Sequence, residues 1–467
     1  VHFASLAFLG FFVAVFAVYW SLPRHRWRMG WLLLASGVYY ASWHPWLLTL
    51  IAFSALTDYA AALWLETLPS PRLRRLVLIG SITINLGLLA FFKYVNFFLA
   101  TAGSVGKLLG WQKDPLHLNV VLPLAISFYT FETISYVVDV YRGRTKAVRN
   151  PLDYALFILF FPHLMAGPIV RPHDFLPQVQ RRKRFSWNRL EVGVRLFLFG
   201  LFKKAVLADS LAAVVDPVFA APGSHSSQAA WLATVGYALQ IYCDFSGYSD
   251  MACGLAHALG FKLPVNFRQP YLAASIAEFW HRWHVSLSTW LRDYLYVPLG
   301  GSRGGRWRTC RNLMITMLLG GLWHGANWTF VFWGFYHGTL LVLQRVCRLP
   351  AWLAGQAARP LWTVLTFLSV LVGWVFFRAQ SFTEAGTMLT RMAWPTVGAG
   401  LGRPASLLIV VCALAVFAEG VLARGTALRQ WLGRLPAPIV GAGTAALLVL
   451  YLLLLPEERR GFLYFQF

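Results

Sequence analysis

The side chains in this sequence best suited to chemistry are two histidines on tryptophan-rich stretches, His284 in WHRWHVSLSTWLRDYLY and His324 in LLGGLWHGANWTFVFWG. An imidazole titrates near neutrality, so it is the group best matched to taking a proton from a hydroxyl at pH 7. Both lie in sequence apolar enough for a membrane. Lipid-facing surface has no use for such a ring, so each faces protein, water or substrate. Gly320, Gly321 and Gly325 permit close backbone approach to a ligand beside His324, and Asn327 follows three residues on. Trp323 and Asn327 are read with it as substrate contacts. The plainer alternative for His324 is a core histidine bonded to a neighbouring helix.

His284 needs an element to present it. Ser275-Ile276-Ala277-Glu278 reads as a capping box, in which serine and glutamate reciprocally satisfy backbone donors. It predicts a helix running to about Tyr296, ended by Pro298 and Gly300. On that helix Trp280, Trp283, Leu287, Trp290, Leu291 and Tyr294 form an apolar stripe, and His281, His284, Ser288 and Arg292 gather on an adjoining face at three- and four-residue spacing. That face is a candidate substrate-binding surface, on a helix at the cytoplasmic interface or dipping into a cavity there. His281 and His284 also admit a histidine-box di-iron oxidase. Such a site needs a larger set of histidines or carboxylates than the scattered ones here, so no metal is expected.

Asp244 and Asp250, in IYCDFSGYSDMACG, lie within a run long enough to span a bilayer. Asp244 is a candidate substrate contact. Equally, each carboxylate could be paired to hold a broken helix, with Lys203 and Lys204 as available partners. Paired intramembrane charges also mark transporters, which makes a lipid-linked sugar flippase a second class of function. GGSRGGRWRTCR sets Arg303, Arg306, Arg308 and Arg311 among four glycines. It reads most simply as a cytoplasmic loop, and Arg303 and Arg306 could also hold phosphates. The segment lacks the G-x-x-x-x-G-K-[ST] pattern, so a nucleoside triphosphatase is not supported.

The composition fixes the solvent. Of 467 residues 58% are apolar, 16% aromatic and only 13% charged, against about 25% charged in soluble domains. Apolar runs recur along the whole chain with no long polar stretch between them, which predicts an all-α polytopic membrane protein forming one integral unit, 1–467, with a catalytic core at about 118–345. The formal charge of +23 is confined to short loops, the positive-inside signature, and nucleic acid is not an expected partner. Five cysteines without a C-x-x-C pair indicate neither a disulfide framework nor a thiolate metal site.

Basic loops at 25–28, 72–75, 142–149, 181–189, 303–311 and 424–434 are assigned to the cytoplasm, alternating with poorly charged loops near 101–117 and 216–228. Ten spans follow: 3–20, 31–44, 46–66, 76–100, 118–140, 192–215, 229–260, 361–378, 405–423 and 439–455. The first is read as a span rather than a removable signal peptide, and both termini come out on the outer face. The stretches 154–170, broken by Pro162 and Pro168, and 313–343, broken by glycines, are read as re-entrant or buried elements lining a cavity. Asn150-Pro151 with Asp153 predicts a helix start.

FFPHLMAGPIVRP at 160–172, YCDFSGYSDMACGLAHALGFKLPVNFRQPY at 242–271, FWHRWHVSLSTWLRDYLYVPLGG at 279–301, GGLWHGANWTFVFWGFYHG at 320–338 and the C-terminal FLYFQF together resemble the membrane-bound O-acyltransferase (MBOAT) family, in its bacterial branch of alginate O-acetylation and D-alanyl transfer proteins. The resemblance implies a bundle of about ten to twelve transmembrane helices, with re-entrant and interfacial helices, around a central tunnel. It implies His324 as the catalytic histidine, a general base, and His284 as a second that orients a substrate or stabilises an oxyanion. It implies transfer of an acyl group, foremost acetyl from acetyl-coenzyme A as donor substrate with no bound cofactor, across a bacterial inner membrane. A periplasmic SGNH-type transferase and an exported polysaccharide such as alginate, cellulose or peptidoglycan follow as partners, beside the membrane lipid. D-alanyl transfer to teichoic acid is the alternative within the family.

Overall fold

A spanning helix satisfies its own backbone polar groups, which is why long apolar runs fold as helices. In the computed structural model the described residues are 3–110, 116–165, 167–347, 355–424, 441–443, 445, 446, 449 and 463. They form helices and no strand, with one isolated bridge between His225 and Ala399. The chain is an all-helical, polytopic membrane protein. Among the described residues, four helices are both long and apolar enough to cross a bilayer: Leu47–Thr67, Pro71–Leu108, Arg359–Arg378 and Arg403–Gly420. Of the other expected spans, the first is the shorter apolar helix Leu6–Ser21, and some further ones are helical but carry buried charge or change pitch. Thus 229–260 is the helix Ser227–Ala258, and 192–215 runs through Trp187–Phe202, a π-helical Lys203–Ala208 and Asp209–Ala220. The expected span 118–140 becomes helical only at Ile126. Pro123 disfavours helix before it, and Ala125 takes a left-handed conformation with φ 63°. The expected span 439–455 lies largely outside the described residues, as does FLYFQF apart from Leu463.

Two compact units are present, Val1–Val194 with Ala252–Pro264, and Arg195–Met251 with Val265–Phe467. In the first, Ile126–Tyr141 is the central element, with every residue from Ile126 to Val140 buried. Side-chain hydrogen bonds stitch Leu47–Thr67 to Pro71–Leu89, and Pro71–Leu89 in turn to Ile126–Tyr141. Asp58 accepts from Ser81 Oγ at 2.5 Å and from Asn85 Nδ2 at 2.8 Å, while Asn85 Oδ1 accepts from Ser54 at 2.6 Å and Thr133 at 3.2 Å. In lipid, where apolar surface gives helices no preference for one another, such bonds select the neighbours. The proline-broken segment after Phe160 is braced by Glu132, whose Oε1 accepts from Val170 N at 3.1 Å and lies 3.3 Å from His163 Nδ1. A methyl on Gly167 would overlap the His163 backbone, so this bend needs a residue without a side chain.

The second unit is built on a buried aromatic core that includes Tyr237, Trp283, Trp333 and Trp374. Against it lies a hairpin of Arg306–His324 and Trp328–Val346. A Cβ on Gly321 would meet the Phe330 carbonyl oxygen, and one on Gly334 the Met317 carbonyl oxygen, so the two helices approach backbone to backbone. The expected re-entrant stretch 313–343 is this hairpin.

Candidate active site

The hairpin turn presents His324. It is the last residue of Arg306–His324, where the negative end of the helix macrodipole favours a positive charge. Gly325 sits so tightly on the Phe330 ring that any side chain would overlap it. Asn327 then caps the returning helix, its Oδ1 accepting from Thr329 N at 3.0 Å and its Nδ2 donating to Gln380 O at 2.9 Å. Asn327, read as a substrate contact, is therefore engaged in shaping the turn. The His324 ring is 4% exposed and walled by Trp323, Trp333 and Phe377, with centroids at 5.1, 5.0 and 5.2 Å.

His284 is held differently from expectation. Ser275 does cap a helix, accepting from Glu278 N at 3.1 Å while Glu278 accepts from Ala274 N at 2.7 Å. That helix, Ile276–Arg282, stops early: Trp283 is extended and His284 is left-handed with φ 42° before the chain resumes as Val285–Leu291 and a π-helical Arg292–Tyr296. The single helix to Tyr296 is corrected to three pieces. The cause is Asn266, which replaces the missing intrahelical bonds. Its carbonyl accepts from Val285 N at 2.8 Å, and its side-chain Oδ1 accepts from Ser286 N at 3.2 Å and Ser286 Oγ at 3.0 Å. Positive φ in a non-glycine residue is costly and persists where surroundings over-determine it.

The break redistributes the expected substrate face. His284 is fully buried, whereas His281 is exposed with Nδ1 2.6 Å from Ala277 O, and Arg292 is exposed with Nε donating to Asp293 at 2.8 Å. Ser288, half-buried, donates to Trp283 O at 3.1 Å.

Asn266 also sets the His284 tautomer. A backbone N–H only donates, so the Asn266 atom facing Ser286 N is its oxygen, and His284 Nδ1, 3.1 Å from that same oxygen, carries the proton. His284 lies between two helices too short to span, and burial pulls its pKa from 6.5 to about 3, so the ring is neutral. Nε2 then bears a lone pair only. It is buried and has no hydrogen-bond partner among the described residues. The His284 ring packs on Phe245 at 4.6 Å and on Trp323 at 6.2 Å. Both histidines thus lie against the indole of Trp323, forty residues apart in sequence and sharing one neighbour in space. Sequence reasoning missed Asn266, and also His337, buried against Trp280 and Trp333 at 5.2 and 4.9 Å.

The intramembrane charges pair with one another. Lys204 Nζ is 2.7 Å from both Asp244 Oδ1 and Asp209 Oδ1, and Asp244 Oδ2 accepts from Leu463 N at 2.9 Å. Lys203 Nζ is 2.5 Å from Asp250 and 3.5 Å from Glu419. Asp244 is thus engaged on both oxygens by protein groups. Arg303 is exposed, and Arg306 donates to Val346 O at 2.5 Å. Among the described residues no three His, Cys, Asp or Glu side chains gather as metal ligands would.

Two imidazoles on one indole, one fixed as a proton acceptor and the other at a helix end that favours its cation, can deprotonate and position a hydroxyl. Residues 147–378, which hold this constellation, match the membrane-bound O-acyltransferase family, MBOAT, and the chain belongs to it as an O-acyltransferase. It is similar to the probable alginate O-acetylase AlgI of Azotobacter vinelandii, 44% identical over 393 residues that cover 84% of this chain and 77% of that protein. It is likewise 37% identical to the peptidoglycan O-acetyltransferase of Helicobacter pylori, over 84% of this chain and 77% of that one. The teichoic acid D-alanyltransferase of Bacillus subtilis is 28% identical over 56% of this chain and 70% of its own length.

Proposed function

We propose that this protein takes an acetyl group from a cytoplasmic thioester, acetyl-coenzyme A, and passes it across the bacterial inner membrane for O-acetylation of an exported polysaccharide such as alginate. The observation that carries the proposal is the pair His284 and His324 on the indole of Trp323. The long similarity to alginate O-acetylases supports the substrate class.

His324 acts as general base: it takes the proton of an acceptor hydroxyl as that oxygen attacks the thioester carbonyl. The carbon–sulfur bond then breaks and the proton passes to the leaving thiolate, so ester and free thiol are the products. The helix end at His324 stabilises the transient imidazolium. A positioned base is commonly worth about 10² to 10⁴ in rate. His284, with no proton on Nε2, suits the orienting role of the two expected for it: it accepts a hydrogen bond from a second, non-reacting hydroxyl of the acceptor, leaving the reacting proton to His324, and has nothing to donate to an oxyanion. Trp323 holds both rings. A tunnel from the donor side, closed to bulk water by the aromatic wall, and a periplasmic SGNH-type transferase that receives the acetyl group complete the proposal.

The test is acetyl-coenzyme A turnover by the purified protein, with polymer acetylation in cells. His324→Ala is expected to remain folded and to lose both by about 10² or more. Equal activity of variant and parent removes His324 from the mechanism. Turnover with a D-alanyl carrier protein, and none with acetyl-coenzyme A, would move the chain to the teichoic acid reading.

A further inference from the structure

We infer that the first unit carries a binding site for a phosphate-bearing anion, in a cavity of about 600 Å³ between the loop at 142–150 and the starts of three helices. That volume lies in the ordinary range of small-molecule sites, about 300–1,000 Å³. Its wall brings together Arg26, Arg144, Lys146, Arg149 and His173, contributed by separate segments of the chain.

The charge there is not self-neutralised. Arg26 is paired with Asp153 at 3.2 Å, Arg149 with Glu66 at 2.7 Å, and His173 lies 3.3 Å from Asp139 and 3.7 Å from Asp174, but Arg144 and Lys146 have no ion pair among the described residues. One further polar atom at the wall, Thr145 Oγ1, is buried with no hydrogen-bond partner among the described residues, and its hydroxyl can donate. Buried polar groups are ordinarily satisfied, so this wall has bonding capacity in reserve. The helices His25–Ala41, Pro151–Leu159 and Pro172–Gln180 all begin at the cavity, so three positive macrodipole ends add to the side-chain charge.

The site is also preorganised. Glu66 accepts from Ala147 N at 2.6 Å, Tyr136 Oη from Val148 N at 2.9 Å, Asp139 O from Arg144 N at 2.9 Å, and Arg149 O from Tyr59 Oη at 2.7 Å. A loop that merely retained positive charge on one side of a membrane would not need its backbone fixed from two neighbouring helices, Leu47–Thr67 and Ile126–Tyr141. Phosphate oxygens are the matching chemistry, since they accept several charge-assisted bonds at once. The segments concerned are ones whose charge pattern assigns them to the cytoplasm, where both phospholipid headgroups and soluble phosphate esters are at hand.

The experiment uses the full-length purified protein and two probes, inorganic pyrophosphate followed by calorimetry, and phosphatidylglycerol against phosphatidylcholine followed by native mass spectrometry. Arg144→Gln with Lys146→Gln is expected to weaken binding about tenfold or more. Arg72→Gln with Arg75→Gln, an equal charge loss at the start of the helix Pro71–Leu89, is expected to leave it within about twofold. Arg144→Lys with Lys146→Arg keeps the charge and is expected to keep the binding, which separates charge from folding. Selective phosphatidylglycerol binding without pyrophosphate binding identifies a lipid headgroup as the occupant, and pyrophosphate binding alone a soluble phosphate ester. A parent that binds neither probe, or equal losses in the two charge-removing variants, overturns the site.

Discussion

Asn266 decides what His284 can do, because its backbone and side-chain oxygens together replace the helical bonds lost at His284, and the side-chain oxygen also fixes the proton on its Nδ1. Asn266→Leu removes that acceptor, and kcat is expected to fall about 10- to 100-fold, the usual loss when the partner that orients a histidine is removed. The KM for acetyl-coenzyme A should change little, and an unchanged kcat would show that the tautomer is irrelevant. Burial of His284 also has a pH signature. With its pKa lowered from 6.5 to about 3 in the folded state, the ring stays neutral while the unfolded chain takes up a proton. Stability is therefore undiminished above pH 6.5 and declines as pH falls from 6.5 toward 3. Thermal melts of His284→Gln should lose part of that acid sensitivity, and identical pH slopes in variant and parent would contradict the buried neutral ring. Both histidines were legible because they sit in long ordered motifs. Asn266 was not, since its partner lies 18 residues away across an irregular segment that no periodicity describes.

At the scale of elements, the glycines around His324 were read as room for a ligand, whereas Gly321 and Gly334 make room for the facing helix. Spacing alone cannot separate these uses, because both need a residue with no side chain where backbone must come close. Gly321→Ala is expected to push the hairpin helices apart, lowering both melting temperature and turnover. The comparison is Gly80→Ala, where nothing lies within 4 Å and removal of a helical glycine should be neutral or stabilising by about 0.5–1 kcal/mol. If Gly321→Ala retains parental turnover, the close approach is not what positions His324. The capping box at Ser275 was legible and real, but a start signal carries no information on where a helix ends. Here the end is imposed by the distant Asn266.

At the scale of the molecule, helices with the highest hydropathy were recognisable as spans, while those bearing buried charge were ambiguous between structure, transport and substrate binding. The geometry gives them partners: Lys204 joins Asp209 and Asp244, and Lys203 joins Asp250 and Glu419. Two carboxylates on one lysine leave each group dependent on the others. Removing one partner of a buried pair commonly costs about 3–5 kcal/mol, since the remaining charge is left uncompensated. Replacing the whole cluster with neutral groups is far milder. Lys204→Met is therefore expected to accumulate poorly or to melt well below the parent, and Lys204→Met combined with Asp209→Asn and Asp244→Asn is expected to recover most of the loss. Under the acyltransferase reading the triple variant should also consume acetyl-coenzyme A, because none of the three touches His284 or His324. Translocation through these charges would require the opposite, a stable triple variant that is inactive. A Lys204→Met protein as stable as the parent would show that the cluster does not hold this part of the fold together.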